Sequence, residues 1–175
     1  MKPLLIIGIG NRYRGDDGVA RHVIDRLRAR CGRRPLTEAR TQALVRGVDT
    51  LFVRQLVPEL APVACAYARL VFVDAHVRAE PRAVVRAELA PGPRPAILSH
   101  VLPPEAFLWL VAAVCGRAPA ARAVSVRGHC FEPGRRLSAA TAALVDAAAD
   151  AAWRPARTAA PAAPRQKQPP NGGTR

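Results

Sequence analysis

The stretch that most constrains the fold is Leu4 to Ile9, LLIIGI, a continuous apolar run with β-branched side chains at Ile6, Ile7 and Ile9 that stops at Gly10. A run with no polar alternation describes a strand covered on both faces. From Asp17 the apolar spacing changes to Val19, Val23, Ile24 and Leu27, one face of a helix, with Asp16 or Asp17 available as its N-cap and Gly32 and Pro35 ending it. A second buried-strand run, Leu70 to Val73, closes on Asp74. Strands of this kind alternating with helices require βαβ units and right-handed crossovers. The expected class is α/β, a three-layer αβα sandwich with a mainly parallel central sheet of about five strands.

The rest of the chain fills in that plan. A weak strand is expected near Leu36 to Ala43. The segment GVDTLFVRQLVPELAPVACAYA then has helical spacing interrupted at Pro58. Alternation over Ala83 to Leu89 predicts a partly exposed edge strand, which the class allows to be antiparallel. Ser99 and His100 fall in a loop before a helix entered through Pro103 and Pro104 and closed by Gly116. AVSVR, Ala123 to Arg127, is a last core strand, and a final helix starts from a Ser138 cap.

Residues 154–175 differ from the remainder. They contain five prolines, no acidic residue and no large apolar side chain, so they are expected to be a disordered basic Pro/Ala-rich tail after a single domain of residues 1–153. The net charge of +14 is only partly the tail's. Five of the 27 basic side chains lie there, leaving 22 against 13 acidic ones in the body. Because only 5% of residues are aromatic and the arginines are not interleaved with rings, an Ala/Arg-rich bias explains the excess better than a nucleic-acid surface does.

Cys31, Cys65, Cys115 and Cys130 form no CxxC pair, which disfavours zinc ribbons and redox motifs. Cys65 and Cys115 lie in apolar stretches and read as small buried hydrophobes. Neither a secretory signal nor an apolar run near eighteen residues is visible, so a cytoplasmic protein without a membrane span is expected.

In an open parallel sheet, ligands bind beyond the carboxyl ends of the strands. Asp17, Asp74 and His100 are the polar residues at such positions, and two carboxylates with one imidazole suit a divalent ion such as nickel or zinc while leaving coordination positions open. Each also has a plainer role available: Asp17 as a helix cap, Asp74 as a solvated or paired strand end, His100 as a loop histidine. His76 is a weaker candidate ligand, and His22 and His129 read as structural. The turn GIGN is not a dinucleotide fingerprint, because Tyr13 stands where the third glycine belongs and Asp16 and Asp17 would repel a pyrophosphate. Gly8 and Gly10 let the backbone turn and approach something closely. There is neither an HExxH nor a G-x-S-x-G motif.

These residues carry a resemblance. GIGNRYRGDDGVARHVIDRL is similar to the opening motif of the nickel-iron hydrogenase maturation endopeptidases, G-x-G-N, four variable residues, then D-[DE]-G. The similarity continues through RQLVPELA, FVDAHV, LSHVLPPEAFLWLVAAVCGRAP and VSVRGHCFEPGRRLSAAT, covering roughly residues 3–153. The resemblance implies a phosphorylase/hydrolase-like αβα fold and a protease domain that removes a C-terminal peptide from a hydrogenase large-subunit precursor after nickel insertion. It implies a metal held by Asp17, Asp74 and His100, namely the substrate's own nickel, with zinc or another divalent ion as a substitute. By general metal chemistry, such an ion would polarise the scissile carbonyl or acidify a bound water, with Asp17 or Asp74 free to act as base when not ligating. Gly8, Gly10 and Asn11 would form the turn, and Asp16 would orient its neighbours or cap the helix. The expected partner is the precursor alone, with no membrane, no nucleic acid and a monomeric state. One departure is the segment EARTQALVRGVD, where many members have Gly-Gly-Thr.

Two rival classes start from the same residues. Peptidyl-tRNA hydrolases also open with a strand, G-[LI]-G-N and a helix, but continue into a T-R-H-N segment where this chain has GDDG. A non-catalytic binding or chaperone domain would use the basic surface and the tail.

Overall fold

A computed structural model of the chain describes residues 1–37, 40–77, 82–92 and 102–153. Six strands form one sheet in the order β2-β3-β1-β4-β6-β5. β1 (Lys2–Ile9) lies between β3 (Val48–Val53) and β4 (Tyr67–His76), parallel to both, and β4 is parallel to β6 (Ala120–Arg127). The outer strands β2 (Gln42–Val45) and β5 (Val84–Leu89) run antiparallel.

The apolar run of β1 shows why helices cover both faces. Ile6 contributes to a core with Val71, Val73, Val124, α1 (Val19–Arg30) and α5 (Val145–Trp153). Its neighbours Leu5 and Ile7 point the other way, into a core with Leu51, Leu70, Phe72, α2 (Ala61–Ala64) and α3 (Pro104–Cys115). Alternate side chains thus feed opposite cores, as strand geometry requires. Phe72 and Phe107 meet edge to face, 6.1 Å between ring centroids, at the centre of the second core. On the first, Ala148, Ala149 and Ala152 are fully buried, and their small side chains admit α1. The rim of that contact carries Arg26 and Arg30 paired with Asp146 and Asp150, exposed bridges worth little each.

The structure corrects the expected plan in three places. The segment from Gly47 begins not as a helix but as β3, a central parallel strand registered Ile7↔Leu51 with β1. Helix remains only at Ala61–Ala64, after a turn at Pro58–Leu60. The weak strand expected near Leu36 to Ala43 forms later, at β2, which is hairpinned to β3 through Gly47 at φ +77°. Among the described residues the mainly parallel sheet therefore has six strands where about five were expected, and both edge strands are antiparallel where one was allowed to be. A charged residue on β3 obscured it: Asp49 is buried, but its carboxylate takes the Lys2 ammonium at 2.6 Å and the Tyr67 hydroxyl. Arg28 fastens the hairpin from α1, donating to the carbonyls of Arg34 and Ala43 and to the Thr50 hydroxyl.

The third correction concerns cysteine. Cys65 and Cys115 form a disulfide, with Cα atoms 5.8 Å apart, that joins the ends of α2 and α3 across 50 residues of sequence. Both flank the second core, so the reading as apolar fillers captured their place and missed their bond. The final helix begins as expected at Ser138, whose hydroxyl accepts from the Thr141 N–H; it runs as α4 (Ala139–Ala142) and then α5.

Candidate active site

From β1 the chain moves outward to β3, and from β4 it moves the other way to β5 and β6, so strand order reverses between β1 and β4. A crevice at the carboxyl ends is the expected consequence. Asp17 follows β1 and Asp74 lies near the end of β4, on the two sides of that reversal.

The turn after β1 is built to present Asp17. Gly10 has φ +140°, and a β-carbon there would lie 2.0 Å from the backbone oxygen of Asp17, so only glycine lets the chain double back this tightly. At Gly8, a β-carbon would strike Ile24 and Phe52, which is why α1 can settle onto β1. The Asn11 N–H then donates to Asp17 Oδ2 at 2.9 Å, while Asn11 Oδ1 accepts from the Tyr13 N–H at 3.0 Å. These contacts fix the half-buried Asp17 carboxylate from behind.

Asp16 faces elsewhere. Its fully buried carboxylate accepts from the backbone N–H groups of His129, Cys130 and Ser138 and from the hydroxyls of Ser138 and Thr141, all at 2.7–2.8 Å. Burial by itself would raise its pKa, but these donors together hold it far below the usual carboxylate range. Neither aspartate caps α1: the N-cap is Gly18, preceded by a 3₁₀ turn at Gly15–Gly18. Asp16 instead straps the loop after β6 to the turn after β1. The strap is doubled by Gly15 N–H to Gly134 O and Gly134 N–H to Tyr13 O. Ser138 was legible only as a helix cap, and nothing in the local spacing of Ser138 or Thr141 marks them as partners of a carboxylate more than 120 residues away.

Asp74 is half-buried, and its Oδ1 accepts from the N–H of Ala75 at 2.7 Å. Burial pushes its pKa up to about 6, with the Asp17 charge adding to the rise and the Ala75 N–H opposing it. No cation pairs with it among the described residues. Asp74 therefore lies in a partly desolvated position that also feels the Asp17 charge. His76 ends β4 in register with Arg127, its carbonyl accepting from the Gly128 N–H. His22 is exposed on α1, and His129 Nδ1 lies 2.9 Å from the Thr141 hydroxyl. His100 lies outside the described residues, and among those described no three His, Cys, Asp or Glu side chains are grouped to hold a metal. Two members of the expected triad are thus placed at one edge. Residues 154–175 are likewise outside the described residues, and no described helix is long and apolar enough to cross a membrane.

Fold and crevice define the chain as an open α/β protein with an acidic pair at the point where strand order reverses. Its architecture is that of the hydrogenase maturation proteases. The [NiFe] hydrogenase maturation protease HycI from Thermococcus kodakarensis superposes with a TM-score of 0.60 at 18% identity, over 86% of this chain and 89% of that one. The hydrogenase maturating endopeptidase HybD from E. coli gives 0.60 at 19% identity, over 85% and 88%. A hydrogenase 2 maturation peptidase from a Thaumarchaeota archaeon gives 0.57 at 20%, over 86% and 95%. At these identities the likeness is one of fold. No protein-family model and no curated protein sequence matches the chain.

Proposed function

We propose that this chain is an endopeptidase that removes the C-terminal extension of a nickel-iron hydrogenase large-subunit precursor after nickel insertion. The observation that carries the reading is the juxtaposition of Asp17 and Asp74 at the strand-order reversal, in a fold shared over most of its length with proteins named as hydrogenase maturation proteases.

The donor set fits a cation. Two carboxylates, one with its charge disfavoured by burial and by its neighbour, gain from a positive ion placed between them. Asp17, Asp74 and His100 are the residues that would hold the nickel carried by the substrate. Bound there, such an ion supplies Lewis-acid polarisation of a carbonyl or acidification of a water. The chain's own residues do the rest. Asn11 and the Gly10 turn hold Asp17 in one orientation, and whichever of Asp17 and Asp74 is not ligating would take a proton from water. The Asp16 strap keeps the loop after β6 in place beside them.

The test is chemical. Nickel-loaded and nickel-free precursor are incubated with the protein, and a C-terminal peptide is sought by intact mass. Cleavage of the loaded form alone, abolished in Asp17→Ala and Asp74→Ala and reduced at least 100-fold in His100→Ala, is the expected result. Full processing by His100→Ala would remove the metal assignment, and no processing of either form would remove the peptidase reading.

A further inference from the structure

Beside the acidic pair, on the same edge of the sheet, lies a cavity of about 280 Å³ whose lining includes Asn11, Arg12, Tyr13, Arg21, Phe52 and Arg54. Among the described residues its charge is one-sided: three guanidinium groups line it and no lining residue is acidic. Arg21 is committed to the protein, donating to Asp25 Oδ2 at 2.8 Å and to the Leu36 carbonyl, with its guanidinium 6.0 Å from the Phe52 ring centroid. Arg12 and Arg54 are exposed and make no ion pair among the described residues; Arg12 lies 5.1 Å from the Tyr13 ring centroid, and Arg135 lies over the same ring at 4.7 Å. An anionic group entering here would meet two unneutralised cations and an amphipathic ring.

The placement relative to Asp17 and Asp74 says what that group belongs to. Arg54 is the residue after β3 and Arg12 is three residues after β1, strands in register at Ile9↔Val53. Across the edge the order is Arg54 just beyond β3, Arg12 and Asp17 beyond β1, and Asp74 on β4. Neighbouring strands are about 4.8 Å apart, so the ends of β3 and β4 are separated by roughly 10 Å. An extended peptide advances about 3.3 Å per residue, so that separation is about three residues. Asn11 joins the two features, since it lines the cavity and its N–H holds Asp17.

Resting on the peptidase reading above, we infer that this cavity is a specificity subsite for an acidic side chain of the substrate, about three residues or fewer from the bond that is cut. A carboxylate seated between Arg12 and Arg54 fixes the register in which the peptide crosses the acidic pair. The same cations repel a basic residue at that position.

Two measurements test this. In the first, precursor variants carrying Glu or Lys at each of the three positions on either side of the cleaved bond are processed by the wild type and by Arg54→Glu. At one position the wild type should prefer Glu by about tenfold in KM, equivalent to 1.4 kcal/mol, and Arg54→Glu should reverse the order. Equal KM values for Glu and Lys at all six positions, or a preference unchanged in Arg54→Glu, would overturn the inference while leaving the peptidase reading standing. The second needs no turnover and so separates the two claims. The peptides acetyl-Ala-Glu-Ala-amide and acetyl-Ala-Lys-Ala-amide are titrated into the full chain while the arginine Nε–Hε signals are followed by NMR. Movement of the Arg12 and Arg54 signals with the Glu peptide only is expected, and no movement with either overturns the subsite even if the precursor is never cleaved.

Discussion

The carboxylate of Asp16 accepts the Thr141 hydroxyl at 2.7 Å across 125 residues of sequence, while the next residue, Asp17, accepts the N–H of Asn11 only six residues away. Two adjacent aspartates are thereby divided between a long-range strap and a locally held crevice group. The division follows from the turn at Gly15–Gly18, which points successive side chains to different sides.

Asp16→Ala should destabilise the protein by roughly 3 kcal/mol, because it strands several buried donors at once. Thr141→Val should cost about 1 to 2 kcal/mol. The pH dependence has a definite sign. The folded pKa of Asp16 is depressed, so its contribution is fully present above the ordinary aspartate value near 4 and is lost as pH falls below it. Urea titrations at pH 7 and pH 3 should show the gap between wild type and Asp16→Ala narrowing at the lower pH. A constant gap would mean that the carboxylate charge is not what holds the strap.

Asp74→Asn should show the opposite balance of stability and activity. With a folded pKa near 6, Asp74 is costly to the fold when charged. Wild-type stability should therefore rise as pH falls from about 7 towards 4, the window between the folded and unfolded values. At pH 7 the asparagine variant should melt a few degrees higher than wild type, a gain of about 1 to 2 kcal/mol. It should also fail to process precursor. A lower melting temperature at pH 7 would contradict the assigned cost.

Gly10→Ala should be more damaging than any other single-methyl addition at the site. The new β-carbon would meet the Asp17 backbone oxygen at 2.0 Å in a backbone conformation that alanine avoids, at a cost of roughly 3 kcal/mol. Hydrogen exchange at the Asn11 amide reports the effect directly. Unchanged protection there, with unchanged stability, would show that the tight turn is dispensable.

Reduction of Cys65–Cys115 should lower stability by up to about 4 kcal/mol in the chain-entropy account, given the 50-residue separation. Urea midpoints measured with and without reductant, beside the Cys65→Ser, Cys115→Ser double variant, give the value. Two further titratable thiols in the unreduced native protein would argue against the bond.

Much of the fold was legible because its main signals are local. The apolar run of β1, the helical spacing of α1, the alternation of β5 and the Pro-Pro entry and Gly116 exit of α3 each depend on neighbours a few residues apart. β3 was not legible, since a six-residue segment containing Asp49 and followed by Pro58 fits a broken helix as well as a strand. Its identity comes from β1 and β2 on either side, and from Lys2 and Tyr67 around the aspartate. The disulfide was invisible for a similar reason, because the distance between Cys65 and Cys115 is decided by how α2 and α3 pack.

The sequence by itself determined an open α/β sheet, the turn after its first strand, and carboxylates at the ends of two strands, because hydrophobic period and glycine geometry act over a few residues. Only the tertiary structure decided that β1 and β4 are adjacent, so that Asp17 raises the pKa of Asp74, and that Asp16 belongs to the loop after β6. It also brought Arg12 and Arg54 to one cavity. Strand order and loop closure are set by the burial of whole faces, a sum over the entire core that no local pattern contains.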